Sequence, residues 1–477
     1  MTYGGRCFFT GILALFLTAL VGCPASQSSK TTASSQPFRG EELTLVVPKP
    51  FNLSAIWEVL IQEWSAQSGA AAKFLDYTPP DLPRANIETG DGVILFPLNQ
   101  LGEIDGLLAR LPANDEAFDS RDLFKGLRDR VVSREKQVIA VPISAPILVC
   151  YYRADLLRKA NLKSPDTWED YLELIDKLDS WAPGLVAVEP LSAEFRATTF
   201  FARALGSVKH PENYSVWFDI DTAKPVLNSP GFVQALELSQ RTWKKLAPQS
   251  LTSSPADCRQ ALLQGKAAIG LTFETRSVNV TAETERVDGI QLGVCRLPGS
   301  RTVFNRNSKK WDSLPAKAVN APALSGFAGL AAGVLHRPNQ ANNKAAMNLL
   351  FSLTSTELFD QAFNSIPKSP CRESQLGQAP AWFGPELSTE EASQYCDAVA
   401  VSLRDPQVVF ELPIIGAESF RKATSDALDP LLRGEIEAEA CLVAMQQAFE
   451  QIVERLGVEA VRDSHRRGLG LPPAFKK

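Results

Sequence analysis

Histidine is nearly absent from this chain: 477 residues hold three, at positions 210, 336 and 465. Their wide spacing gives a Ser-His-Asp triad or a His-based zinc site almost no support. None of the eight cysteines stands in a C-x-x-C pair, so the usual thiolate metal motif is missing too. The mature chain also lacks G-x-S-x-G, H-E-x-x-H, a Walker phosphate loop and G-x-G-x-x-G. A pair of catalytic carboxylates would leave no mark in sequence, but no metal, cofactor or catalytic residue is assigned, and a non-enzymatic role is expected. Concentrated charge is lacking as well. Lys plus Arg number 49 against 54 Asp plus Glu, a net −5 spread along the chain, which gives no basic footprint for nucleic acid. What is present is ordinary folded composition, 45% hydrophobic and 22% charged. The length exceeds what one hydrophobic core usually serves, so two lobes are expected.

The N-terminus carries a single positive charge, Arg6, before an apolar run from Phe8 to Val21 that falls short of a spanning helix. It reads as a signal peptide over residues 1–22. Its end, Leu20-Val21-Gly22-Cys23, resembles the lipobox of bacterial lipoproteins, which implies acylation of Cys23 and attachment of the mature chain to a membrane through lipid. A plain secretory signal, or an uncleaved anchor, is the competing reading. Residues 23–40 follow as a tether, rich in Ser, Thr, Ala and Gln, a composition that buries too little apolar surface to order itself. The globular part is expected to begin near Glu41. Export would permit disulfides. Cys371 with Cys396 is a candidate pair, while Cys150 and Cys295 lie in apolar runs that suit buried free thiols.

The rest alternates strand and helix patterns. Leu43 to Val47 is a β-branched run stopped by Pro48 and Pro50, and Ile56, Trp57, Leu60, Ile61 and Trp64 then recur at helical spacing, with Asn52 as N-cap candidate. Further strands are predicted at Gly92–Phe96, closed by Pro97, and at Val138–Val141, closed by Pro142. Continuous apolar strands between helices argue an α/β fold with parallel strands whose ends carry functional loops. Asn161 suits a left-handed helix end, and Ser164 or Thr167 can cap the helix that buries Trp168, Tyr171, Leu172 and Ile175.

Three stretches carry a family resemblance. Tyr152-Arg153-Ala154-Asp155-Leu156, Ala160-Asn161-Leu162 and Pro165-Asp166-Thr167-Trp168-Glu169 follow one another after a Pro-x-Ser loop at Pro142–Ser144. Later come Gly265-Lys266-Ala267-Ala268 and Ser325-Gly326-Phe327-Ala328-Gly329, then Asn343 to Leu353, and near the end Leu431-Leu432-Arg433-Gly434. This order resembles the extracellular solute-binding proteins of bacterial ABC importers, in the maltose-binding, sugar-binding branch; Arg153 and Asn161 depart from its pattern. The resemblance implies a two-lobed periplasmic-binding-protein-like fold, each lobe a sheet flanked by helices, hinged around a central cleft. Lobe boundaries are expected at 41–145 with 277–336 for the first lobe and 146–276 with 337–477 for the second. It further implies a monomeric, lipid-anchored extracytoplasmic protein that captures a small ligand, a carbohydrate by analogy, and delivers it to permease subunits. A degenerate solute-binding fold serving as an envelope sensor or interaction protein is the alternative.

Candidate ligand contacts sit on loops after strands. For the first lobe they are Phe51, Asn52, Asn99, whose amide both donates and accepts, and Ser144; Phe51 can instead staple a helix and Asn99 cap one. For the second lobe they are Phe273, whose ring can cover the C–H face of a pyranose, and Glu274, with Ser325 and Phe327 in the glycine-flanked loop. The competing reading buries Phe273 in the core and leaves Glu274 a solvated acid. The segment Glu194 to Phe201 ranks below these, with Phe200 and Phe201 read as core.

Overall fold

Leu43, Leu45, Val46 and Val47 are all buried, as expected of a strand covered on both faces, and they make the first strand, β1 (Glu42–Pro48), the centre from which one sheet grows. The computed structural model describes residues 36–474 apart from 90, 113, 116–117, 276–285, 337–343, 356–365, 379–381, 384–385, 413 and 473. The signal segment, Cys23 and most of the tether therefore lie outside the described residues.

In chain order the elements that matter are β1; α1 (Leu53–Ser68); β2 (Ala71–Tyr77); β3 (Gly92–Pro97); β4 (Val141–Ser144); β5 (Val149–Arg153); α2 (Trp168–Asp176); β6 (Val186–Val188); α3 (Arg196–Val208); α4 (Pro230–Trp243); α5 (Pro255–Leu263); β7 (Ala267–Thr272); β8 (Leu292–Arg296); β9 (Leu330–Val334); α6 (Lys344–Leu353); α7 (Thr389–Arg404); α8 (Ala417–Leu432) and α9 (Ala438–Leu456). Five strands form one sheet in the order β2-β1-β3-β9-β4, and four form a second in the order β6-β7-β5-β8. In the first, β1 runs parallel to β2 and β3, whereas β9 runs antiparallel to both β3 and β4. In the second, β6 is parallel to β7, while β5 is antiparallel to β7 and β8.

Several expectations are corrected here. The third predicted strand is displaced: Gln137–Val138 belongs to a small hairpin, and the sheet strand is Val141–Ser144, with Pro142 inside it opposite Ala331. Proline is tolerated there because β4 is an edge strand. β2 was not expected at all. It is the other edge, with mostly exposed or half-exposed residues including Lys73 and Asp76, so no apolar run marks it. Leu292–Arg296, expected with the first sheet, pairs instead with β5, and α6, expected with the second lobe, buries Ala346, Leu349 and Leu350 in the same core as β3 and β9. Cys371 and Cys396 are both free and buried, with no disulfide. Asn161 does adopt the left-handed conformation, at φ 55°.

Burial follows the helical stripes. α1 buries Trp57, Ile61 and Trp64, and α3 is buried along nearly its whole length, with Phe200 and Phe201 fully inside. The ring of Phe201 lies 4.6 Å from that of Trp217. Within this second core sits a charge pair. Arg203 and Glu189 are ion-paired at 1% and 0% side-chain exposure. Trp243 Nε1 donates to Glu189 at 2.9 Å, and the Arg203 guanidinium lies 4.1 Å from the Trp168 ring centre. Removing one member strands the other charge away from water. Arg203→Met should therefore lower unfolding free energy by about 3–5 kcal/mol, measured by urea denaturation. A loss under about 1 kcal/mol would mean the guanidinium does not hold this core together.

Candidate functional site

The backbone leaves β1, β2 and β3 at the same edge of the first sheet, because these strands are parallel. Their exit loops carry Pro50 and Phe51, Pro79 and Pro80, and Pro97 and Asn99. All of these line a cavity of about 500 Å³. The opposite wall comes from the second half of the chain: Phe195 just before α3, Phe273 and Thr275 at the end of β7, Phe327 in the loop before β9, and Arg421 on α8. Placement at the carboxyl ends of strands is where open α/β sheets bind ligands.

The far wall is aromatic. Phe195 meets Phe327 edge-on, with ring centres 5.2 Å apart, and lies 6.5 Å from Phe273. The Arg421 guanidinium covers Phe327 at 4.3 Å. It is held there by Glu418, at 2.6 and 3.0 Å, and by the carbonyl of Glu194. The turn presenting Phe327 depends on Gly326, whose φ is +130°; a Cβ there would meet the Phe410 ring at 2.3 Å. Asn99 and Thr275 have no hydrogen-bond partner among the described residues, so their polar groups stand free in the wall. Gln100, by contrast, is spent on Pro80 O at 2.8 Å and on the Tyr77 hydroxyl.

Four expected site residues are thus brought together: Phe51, Asn99, Phe273 and Phe327. The other four are not. Asn52 is exposed, adopts φ 49°, makes no side-chain cap and lies outside the cavity wall. Ser144 is fully buried and donates to Pro367 O at 2.5 Å. Ser325 is buried with its hydroxyl unpaired, in a strand pair with Phe410. Glu274 is no solvated acid and lies outside the cavity wall. At 1% exposure it accepts from Tyr151 Oη at 2.5 Å and from Arg259 Nε at 2.8 Å, and Arg259 also reaches Glu386 at 2.7 Å. Its charge is consumed by the core. Phe195 and Arg421 were missed. Phe195 lies inside the flagged segment Glu194 to Phe201, whereas nothing local in the sequence sets Arg421 apart from other helix-surface arginines.

Behind Arg421 lies a second carboxylate of consequence. Glu411 is buried at 2% exposure and accepts from Thr198 Oγ1 at 2.9 and 3.1 Å. Burial pushes its carboxyl up to about 7, partly offset by Arg421 and by the Thr198 hydrogen bond. Between about pH 4.5 and 7 the folded chain keeps a proton there that the unfolded chain has released. The stability it confers below this window is therefore lost as pH rises through it, by roughly 3 kcal/mol. Glu411→Gln should flatten that fall, seen as a urea midpoint that rises relative to the parent's as pH goes from 5 to 7.5. A variant that loses stability in parallel with the parent would show that Glu411 does not titrate in this range.

Among the described residues no helix is long and apolar enough to cross a membrane, and no cluster of His, Cys, Asp or Glu is arranged to hold a metal. No curated protein matches the chain. Solved structures do. Maltose-bound MalE3 of T. maritima superposes with a TM-score of 0.61 at 16% identity, over 86% of this chain and 99% of that one. The sugar-binding protein MalE of Xanthomonas citri gives 0.62 at 16% identity, over 87% and 98%. An ABC transporter solute-binding protein of Agrobacterium radiobacter K84, solved with ribitol, gives 0.60 at 19% identity, over 87% and 100%. These likenesses establish the fold: two lobes, each a sheet flanked by helices, as in periplasmic binding proteins. Residues 83–383 match the profile described as bacterial extracellular solute-binding protein, a span of more than half the sequence, and the chain belongs to that family.

Proposed function

We propose that the chain captures a small carbohydrate or polyol in the cleft between its lobes and delivers it, unaltered, to the permease of an ABC importer. The observation that carries this is the cavity wall itself. The rings of Phe195 and Phe327, with the edge of the largely buried Phe273, line one side, Phe51 lines the other, and the unspent polar groups of Asn99 and Thr275 stand among them. Aromatic faces cover the C–H surface of a sugar or polyol while amide and hydroxyl groups meet its oxygens. The volume of about 500 Å³ suits a small molecule. The ligands named for the structural neighbours, maltose and ribitol, belong to the same chemical class.

In this reading the first lobe is built on the β1-containing sheet with β9 and α6, and the second on the sheet of β5 to β8 with the C-terminal helices. Ligand touching both walls favours the closed arrangement by its differential affinity for it. The chain acts as a monomer, exported and held to the membrane through lipid on Cys23. No bond in the ligand is made or broken.

A thermal-shift screen of sugars and polyols tests the reading, since a ligand at a hundredfold excess over its Kd adds about 2.7 kcal/mol to folding stability. One or more should raise the Tm, quench or enhance tryptophan fluorescence saturably, and be recovered chemically unchanged. Phe327→Ala should then weaken that ligand about tenfold, while Tm without ligand shifts little. Silence across the whole panel, or full affinity in the variant, would remove the aromatic wall from the function.

A further inference from the structure

A groove of about 1110 Å³ lies apart from the cleft and shares no wall residue with it. Arg110, Arg121, Lys125, Arg128, Arg130 and Lys136 line it against two acids, in a chain whose net charge is −5. Both acids are already engaged. Glu135 pairs with Arg110 at 2.6 Å, and Asp129 pairs with Arg128 at 2.8 Å and with Lys125. Arg130 has no carboxylate partner among the described residues. Its guanidinium lies 5.8 Å from the ring centre of exposed Tyr214. It rides on a wide turn, Leu127–Val131, in which Val132 N donates to Leu127 O five residues back at 3.1 Å. Such π turns are rare and are frequent at functional sites.

The groove runs into a second cavity of about 140 Å³, with Arg130, Tyr214, Pro406 and Leu469 lining both. This smaller space holds about four to five waters' share of liquid volume, the scale of one oxyanion. Its wall contains Arg130 and Lys209 and no acid. Lys209 Nζ donates to His210 O at 3.2 Å and to Asn213 O at 3.0 Å, which leaves one N–H uncommitted. Arg306 is close behind, donating to Ser215 O in the wall. Burial first, then Arg130 and Arg306, push the Lys209 ammonium down to about 8, with Asp405 pulling the other way. Like charges gathered this way repel, and an anion between them relieves the repulsion.

We propose that the cavity between Arg130 and Lys209 binds the phosphate group of an anionic ligand whose remainder lies in the adjoining basic groove. A phosphate offers several charged oxygens, so guanidinium and ammonium can engage it from two sides with charge-assisted hydrogen bonds. Of the groove's other cations, Arg110, Lys125 and Arg128 are paired with its acids and Arg121 with Asp119, which leaves Lys136 as the further charge available to the rest of the ligand. This site is independent of what the cleft binds, and it shares no wall residue with the cleft.

Calorimetric titration of the intact protein tests it with three probes: inorganic phosphate, glycerol 3-phosphate as a soluble monoester, and glycerophosphoglycerol as the diester headgroup of an anionic lipid. Saturable binding of at least one is expected, weakening as salt is added. Arg130→Gln and Lys209→Gln should each lower affinity about tenfold. Arg130 is exposed, and glutamine at 209 keeps donors for the two carbonyls, so both variants should fold. A tighter monoester would identify a soluble phosphate ester as the ligand; a diester bound as tightly or more so would identify a lipid headgroup. Either order supports the site. No binding of any probe, or unchanged affinity in the double variant, would overturn it, whatever the sugar screen returns.

Discussion

Insertion of Leu330–Val334 between β3 and β4 is the contact from which the site geometry follows. The first sheet is begun by residues near the start of the globular chain and completed by a strand arriving from far beyond the second sheet. Its antiparallel register places Leu330 opposite Pro97 and also beside Ser144. Leu98 N donates to Gly329 O at 2.9 Å, so the loop before β9 and the loop after β3 are locked side by side. Phe327 and Asn99 are thereby delivered to the same cavity, although hundreds of residues separate them in sequence. The approach is close enough that a Cβ on Gly329 would meet the Leu98 side chain at 2.4 Å and Ser144 O at 2.9 Å. Two loops, one strand and a glycine together set the width of the cleft at this corner.

Side-chain alternation then decides which loop residues see the cavity. Along the end of β7, Thr272 and Glu274 are kept from the cavity while Phe273, itself 5% exposed, borders it and Thr275 lines it, the alternation expected of a period of two. After β3 the same rule puts Leu98 inside and Pro97 and Asn99 on the wall. Glu274, one step out of phase, thus falls into the core. It is tolerated there because Arg259, Tyr151 and the Tyr395 hydroxyl near its backbone N–H satisfy it. A carboxylate beside a candidate aromatic residue is thus evidence of an internal ion pair as readily as of a ligand contact, and phase distinguishes the two.

How much of this was legible in the sequence follows from where each signal is stored. The central strands β1 and β3 and the stripe of α1 announce themselves through burial on their own residues, and they were read within a residue or two. Edge strands carry no such mark: β2 has charged residues on a half-exposed face, and β4 contains Pro142. The partner of Leu292–Arg296 was likewise invisible, since a strand's own composition does not say which sheet it joins. Among site residues, phenylalanines on loops after strands were found because loop position and residue type agree. Arg421 was not, because its role exists only where α8 packs against the loop carrying Phe327, a tertiary fact without local periodicity. The phosphate site has the same character: Arg130, Lys209 and Arg306 are scattered along the chain and become a cluster only in the folded form.

The composition of the cleft also bears on how it would discriminate among ligands. Six prolines and four phenylalanines line it, and both residue types enter the bound state with little rotamer freedom left to lose. Such a wall is preorganised, which favours affinity, but it counts hydroxyl groups poorly, because an apolar surface rejects an added or missing hydroxyl only weakly. Arg421 is committed to Glu418 and to the Glu194 carbonyl, and Gln100 to Pro80 and Tyr77. Selectivity on a capture reading therefore falls to the free groups of Asn99 on one side and of Thr275 and the Glu194 carboxylate on the other. Asn99 and Thr275 stand on different sheets' exit loops, so a ligand hydroxyl pair that reaches both is matched only when the two walls are at the right separation. Recognition and the open-to-closed change are then the same event, with ring stacking supplying strength and two facing polar groups supplying the measure of length.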